Sequence, residues 1–129
     1  MEQQKQIEYW KKASELDLLS AIDIYESGKN FHFCLFLCHL SIEKLLKALV
    51  VKSTNDFPPK SHNLLRLSEI SQINCTDDTL TLLEELSQFQ LSTRYPDELF
   101  SVHKLATKEF TTNKLEKVKE LSKWLTSKL

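Results

Sequence analysis

The longest apolar pattern along the chain lies between Phe31 and Val51. Apolar residues recur there at alternating spacings of four and three, which is the period of one helix face. The residues of this face are Phe31, Leu35, Cys38, Ile42, Leu45 and Leu49. Further apolar residues occupy the other sides, and a helix that is apolar nearly all round belongs in the middle of a bundle. The pattern predicts a central helix over residues 31 to 53, whose surplus apolar surface also favours an oligomer interface.

A first helix is predicted over residues 3 to 27, where small and apolar residues recur at spacings of three and four. Gly28 lies where a left-handed residue would end this helix, and Asn30 can begin the next one. Asp17 lies on the apolar face of the first helix, so we expect it to face a cation. The candidate cations are Lys44, Lys47 and Arg94.

Three further helices follow, which predicts an all-α bundle of four or five helices in a single domain over residues 1 to 129. Ser61 can cap a short third helix, and residues 76 to 78 supply good N-terminal caps for a fourth. Asn113 with Glu116 resembles a capping box that would open the last helix.

The segment STRYPDELFSVH, residues 92 to 103, interrupts the helical pattern. Pro96 excludes helical geometry at the preceding Tyr95, so we expect the fourth helix to end here and an extended connection to follow. Arg94 has two interpretations at this break. It either pairs with an aspartate, Asp97 or Asp17, or it binds a phosphate at the mouth of a cleft.

Composition limits the function classes. A single glycine and three prolines argue against an all-β fold, which needs many tight turns. The formal net charge of −1 gives no bulk attraction to nucleic acid, so any phosphate site must be local. Three cysteines without C-x-x-C spacing predict no disulfide framework and a reducing compartment. The chain starts without an apolar signal segment, and we expect a cytoplasmic protein that does not span a membrane.

A polar stripe runs along the predicted central helix. His39, Glu43 and Lys47 are spaced i, i+4 and i+8, so they lie on one face. They form either an internal ion-pair ladder or the lining of a polar pocket, because buried charges require partners. His62, after a double proline, either packs at a helix start or joins a phosphate site. The histidines show no metal-ligand spacing, and neither a metal nor a cofactor is expected.

Four motifs together resemble one family. They are Trp10-x-x-Ala13-x-x-x-Asp17-Leu18-x-x-Ala21, HLSIEKLLKALVV from His39, SHNLLRL from Ser61 and TRYPD from Thr93. In this order they are similar to HEPN domains (higher eukaryotes and prokaryotes nucleotide-binding), in particular to the RYPD branch. The resemblance implies an up-and-down helical bundle that forms a homodimer. It also implies a minimal nucleotidyltransferase as partner in a toxin–antitoxin-like pair, with nucleotide or RNA as ligand.

Many HEPN proteins are metal-independent ribonucleases that use an arginine and a nearby histidine. The histidine would handle the 2′-hydroxyl proton and the arginine would hold the phosphate. Arg94 and His103 are the catalytic candidates here, but eight residues separate them, more than the nuclease motif has. This spacing favours a nucleotidyltransferase-binding subunit over a ribonuclease toxin, and a purely structural dimer stays open as a third class.

The predicted site is one polar cleft. Its expected phosphate- or nucleotide-binding residues are Arg94, Tyr95, Asp97, Glu43, Lys47 and His62, with His103 close by.

Overall fold

The computed structural model describes all 129 residues and contains six helices and no strand. They are α1 (Gln3–Glu26), α2 (Phe31–Thr54), α3 (Leu64–Ile70), α4 (Asp77–Ser87), α5 (Pro96–Leu105) and α6 (Lys108–Thr126). The all-α bundle predicted from the sequence is therefore confirmed, with one helix more than expected.

Helix α2 is the central element, as its apolar pattern predicts. It packs against all five other helices, and from Ile42 to Val51 every residue except Lys44 is buried. Leu45 is 1% exposed within a core cluster that also takes residues from α3, α4, α5 and α6. Helix α1 lies along α2 and is joined to it by an ion pair, in which Lys44 Nζ is 2.6 Å from Asp17 Oδ2. Of the three cations expected opposite Asp17, Lys44 is the one that it meets.

The turn between α1 and α2 has left-handed backbone at two positions. Gly28 has φ +75°, as expected of the residue that ends α1. Asn30 also has a positive φ, 58°, and its side chain makes no capping hydrogen bond to α2. Asn30 therefore contributes its tolerance of left-handed backbone rather than a side-chain cap.

Two predicted helix starts are wrong. The cap of α3 is Asn63 rather than Ser61, since the Asn63 side chain accepts a hydrogen bond from the Arg66 backbone N–H at 3.1 Å. Helix α6 begins after Thr107, which accepts from the Phe110 N–H at 3.2 Å. Asn113 lies inside α6. A capping-box pattern can occur within a helix, and the earlier threonine takes the cap position.

The expected extended connection after Tyr95 is also wrong, because helix α5 begins there. Tyr95 has the extended backbone that proline imposes on its predecessor, with ψ 160°, but it serves as the N-terminal cap residue of α5. Pro96 occupies the first helical position, where its fixed φ and missing N–H are tolerated. Only Val102 of α5 is buried, so this helix lies on the bundle with most of its surface in solvent.

Large apolar side chains remain exposed on several helices. Leu16 and Leu19 of α1 are 52% and 59% exposed, Phe33 of α2 is 48% exposed, and Phe100 of α5 is 67% exposed. None of the six helices has both the length and the apolar character that crossing a membrane requires.

Candidate functional site

A largely buried polar cluster centres on the Glu43 carboxylate, which three cationic or titratable side chains approach. Oε1 is 3.2 Å from His39 Nε2 and 2.8 Å from His62 Nδ1, and Oε2 is 3.1 Å from Lys47 Nζ. His39, Glu43 and Lys47 are 0%, 4% and 6% exposed. We call these four residues the Glu43 group. Its three α2 members form an internal ion-pair ladder, which is one of the two arrangements expected from their helical spacing.

Local sequence explains how this group assembles. His39 and Lys47 lie one turn before and one turn after Glu43, so both reach its carboxylate along one helix face. His62 comes from the irregular segment between α2 and α3 that follows Pro58-Pro59. The side chain of His62 is 51% exposed, whereas that of Glu43 is 5% exposed. The carboxylate therefore fastens this loop to the bundle while one edge of the His62 ring stays in solvent.

The environment of Glu43 strongly favours its ionised form. Burial acts to raise the pKa of this carboxyl, but hydrogen bonds from His39 and His62 and the charge of Lys47 outweigh it. The result lowers the pKa of Glu43 from 4.5 to about 2. The carboxylate is thus charged throughout the neutral range and depends on its partners to remain so inside the bundle.

Trp10 of α1 covers the far end of the Glu43 group. The Lys47 Nζ lies 5.3 Å from the centre of the Trp10 ring, within the range of a cation–π contact. The buried Trp10 Nε1 has no hydrogen-bond partner. The charge of Lys47 is therefore shared between a carboxylate and an aromatic face, which together hold this lysine out of solvent.

Arg94 closes the C-terminal end of α4. Its Nη2 donates to the Gln88 carbonyl at 2.9 Å, and its Nε donates to the Gln90 carbonyl at 3.3 Å. Its Nη1 is 2.8 Å from Glu98 Oε2, in the first turn of α5. Arg94 thus pairs with Glu98 rather than with Asp97 or Asp17. Its side chain remains 29% exposed, so one side of the guanidinium faces solvent.

The surface around Arg94 is open and aromatic. Tyr95 is 77% exposed, and Asp97 is also exposed. A shallow hollow of about 260 Å³ lies between the end of α4 and α5, with Arg94, Glu98 and Leu105 among its lining residues. This hollow is the cavity nearest to the predicted phosphate-binding arginine.

His103 lies near the other end of α5 and meets a histidine that the sequence did not indicate. Its Nδ1 is 3.2 Å from Nδ1 of His32 on α2. Their ring centres are 4.8 Å apart, with the planes at 88°. Burial, with a smaller contribution from the nearby His103, lowers the pKa of His32. His32 precedes His39 by two helical turns, so it continues the polar stripe of α2. This spacing was the one sequence signal that could have indicated His32.

The sequence and fold of this chain can be compared with known protein families and solved structures. A family model described as "HEPN domain" matches residues 7–129. The chain belongs to the HEPN-domain family. No curated protein matches this HEPN domain. Among solved structures, it is similar to the crystal structure of TT1696 from Thermus thermophilus, with a TM-score of 0.80 and 18% sequence identity. The match covers 96% of this chain and 98% of the other, and it shows a shared fold.

Within this HEPN domain the predicted site residues fall into two groups. Glu43, Lys47 and His62 are in direct contact. Arg94, Tyr95, Asp97 and His103 lie on or beside α5, and no hydrogen bond or ion pair joins them to the Glu43 group. One structural link connects the two groups, because His39 Nδ1 is 3.1 Å from the Leu86 carbonyl in the last turn of α4. Arg94 donates to carbonyls just beyond that turn.

Proposed function

We propose that this HEPN domain binds a phosphate-bearing ligand, a nucleotide or a short stretch of RNA, on the exposed side of α5. In the cell it would serve as the partner of a minimal nucleotidyltransferase in a toxin–antitoxin-like pair. The observation that carries the proposal is the exposed Tyr95 next to a partly exposed Arg94.

An exposed aromatic ring beside an arginine suits a nucleotide. Base stacking on an aromatic side chain contributes about 1–3 kcal/mol, and it accepts any base. The arginine supplies paired donors for phosphate oxygens. Phe100 is 67% exposed and lies one turn before His103 on α5, so a second ring is available along the same helix. Aromatic side chains this exposed contribute little to the stability of the isolated domain.

The charges on α5 limit the affinity. Glu98 already occupies one side of the Arg94 guanidinium, and Asp97 is exposed at the start of the helix. A phosphate must displace the Glu98 contact or bind to the remaining donors, against the field of two carboxylates. We therefore expect a weak affinity for the ligand, and added salt should weaken it further.

The Glu43 group supports the bundle in this proposal instead of contacting the ligand. Glu43 and Lys47 are almost fully buried and satisfy each other. His62 has a half-exposed ring, but it lies in the loop before α3 and contacts Glu43. The phosphate-binding residues that we propose are therefore Arg94 and Tyr95.

The same features suit a protein partner. Tyrosine and arginine are enriched among the residues that dominate binding energy at interfaces. A separate apolar surface, with Leu16 and Leu19 on α1, is available for a second copy of the chain. We propose a homodimer through this surface, which leaves α5 for the nucleotidyltransferase. Light scattering tests the dimer, and a monomer mass at micromolar concentration would contradict it.

Calorimetry with nucleotides and a short single-stranded RNA tests the ligand. Tyr95→Ala should weaken binding by about 1–3 kcal/mol, the scale of one stacked base. Arg94→Ala should weaken it by more than about 1 kcal/mol, the scale of a charge-assisted hydrogen bond. Tyr9→Ala and Arg66→Ala are the matched controls, because Tyr9 is 61% exposed on α1 and Arg66 is exposed on α3.

Three results would decide against the proposal. Equal affinity in Tyr95→Ala and the unmodified protein would exclude stacking on this ring. A fall in melting temperature in Arg94→Ala with unchanged binding would leave that arginine a purely structural role at the end of α4. Metal-independent RNA cleavage that disappears in His103→Ala would identify a ribonuclease instead.

A further inference from the structure

His32 and His103 form a pair that the proposed function does not use. They belong to α2 and α5, are separated by 71 positions in the chain, and meet with their Nδ1 atoms 3.2 Å apart. His103 is exposed and His32 is half-buried, so solvent and small ions reach the pair. We propose that these two histidines bind a divalent transition-metal ion that links α5 to α2.

The separation of the two nitrogens matches a shared metal ion. Histidine nitrogens lie about 2.0–2.1 Å from zinc, and two ligands of a tetrahedral ion at that distance are about 3.3–3.4 Å apart. The observed 3.2 Å is close to this value. A metal can therefore be bound with a small adjustment of two surface side chains and without movement of either helix.

The protonation states of the pair also suit a metal. Only a neutral imidazole has a lone pair to offer, and each ring has one. Without a metal, one Nδ1–H donates to the other Nδ1. With a metal, both lone pairs point to the ion and both protons stay on Nε2.

The ligand set indicates the class of metal. Imidazole nitrogen is a good ligand for Zn²⁺, Ni²⁺ and Cu²⁺ and a poor one for Mg²⁺ and Ca²⁺. No third histidine, cysteine or carboxylate completes a cluster with the pair. Water would therefore fill the remaining positions, which leaves the site open and the affinity moderate.

The site has a structural consequence for α5. This helix has one buried residue, Val102, and its other large apolar residues are half-buried or exposed. A metal between His103 and His32 would hold the C-terminal half of α5 against α2. The helix that carries the proposed ligand surface would then be more firmly fixed in the metal-bound protein.

Calorimetric titration of the full chain with zinc chloride alone, at neutral pH and in the presence of a reducing agent that does not bind metal, tests this site. We expect one ion per chain. His103→Gln and His32→Gln should each weaken binding at least tenfold, because one imidazole cannot replace two. His62→Gln is the matched control, since His62 is half-exposed and contacts a carboxylate instead of a second histidine.

A thermal melt gives a second readout. Zinc should raise the melting temperature of the unmodified protein and of His62→Gln, and it should leave that of His103→Gln unchanged. Circular dichroism of His103→Gln without metal checks that the variant is folded. Absence of zinc binding by the unmodified protein, or binding that persists unchanged in both His32→Gln and His103→Gln, would overturn the proposal. The second result would place the metal elsewhere, for example at the half-buried thiol of Cys75.

Discussion

Replacing Glu43 by glutamine tests whether the Glu43 group stabilises the bundle through charge. The substitution keeps the size and one acceptor oxygen but removes the charge that faces Lys47, 3.1 Å away, and the two histidines. Lys47 is 6% exposed and would be left as a buried cation with no opposite charge beside it and the Trp10 ring as its remaining electrostatic partner. Loss of one partner from a buried ion pair costs about 3–5 kcal/mol. We expect a loss of this size at neutral pH.

The pKa of Glu43 predicts how that loss changes with pH. The pKa falls from 4.5 in the unfolded chain to about 2 in the folded protein. At about 1.4 kcal/mol for each tenfold change in proton affinity, the shift corresponds to about 3 kcal/mol of stability. Because the folded pKa is lowered, this stability is complete above pH 4.5 and disappears as pH falls towards about 2. The side chain of glutamine does not ionise, so Glu43→Gln lacks this contribution to the pH dependence of stability.

Urea unfolding of both proteins at several pH values provides the measurement. The difference in unfolding free energy between Glu43→Gln and the unmodified protein should be greatest near neutral pH and should shrink by about 3 kcal/mol towards the folded pKa. Glu116→Gln is the matched control, because Glu116 is also helical but its side chain is 66% exposed beside Lys119. That control should lose at most about 1 kcal/mol. A constant difference between Glu43→Gln and the unmodified protein at all pH values would refute the reasoning.

Two further substitutions test the fold. Leu45→Ala should cost about 2–5 kcal/mol in urea unfolding, because Leu45 is 1% exposed on α2, while Phe57→Ala in the loop after α2, where Phe57 is 61% exposed, should cost far less. Thr107→Ala should cost about 1 kcal/mol through loss of the α6 cap. Asn113→Ala should be nearly neutral, since Asn113 is exposed within the helix. A larger loss of stability in Asn113→Ala than in Thr107→Ala would indicate that α6 begins at Asn113, as the capping-box pattern predicted.

The sequence predicted those parts of the fold that depend on a long repeated pattern. The prediction of helix α2 was correct because its apolar residues keep helical spacing over about five turns. The surrounding helices then cover the faces that this pattern already makes apolar. Helix α5 was missed because a proline gives the same local signal when it ends one helix and when it begins another. What decides between them is the packing of Val102 on the core, which is a tertiary contact.

The candidate site divides in the same way. The contact of Glu43 with His39 and Lys47 follows from spacing along one helix, and it is one of the two arrangements expected from the sequence. The contact of His62 with Glu43 depends on how the loop folds back, and the sequence placed His62 near a site without naming its partner. The pairing of His32 with His103 joins residues 71 positions apart, so no local pattern could show it.

Burial separates the roles of the two groups. The Glu43 group is buried and nearly every charge in it has a partner, so it has little left to offer a ligand and much to lose on substitution. The α5 surface has the opposite character, with Tyr95 and Phe100 largely in solvent and few core contacts behind them. Residues that contribute little to stability and yet expose aromatic area are those most free to serve binding. Substitutions in the Glu43 group should therefore change unfolding more than binding, and substitutions on α5 should change binding more than unfolding. A single substitution at Tyr95 that lowered the melting temperature as far as Glu43→Gln would contradict this separation.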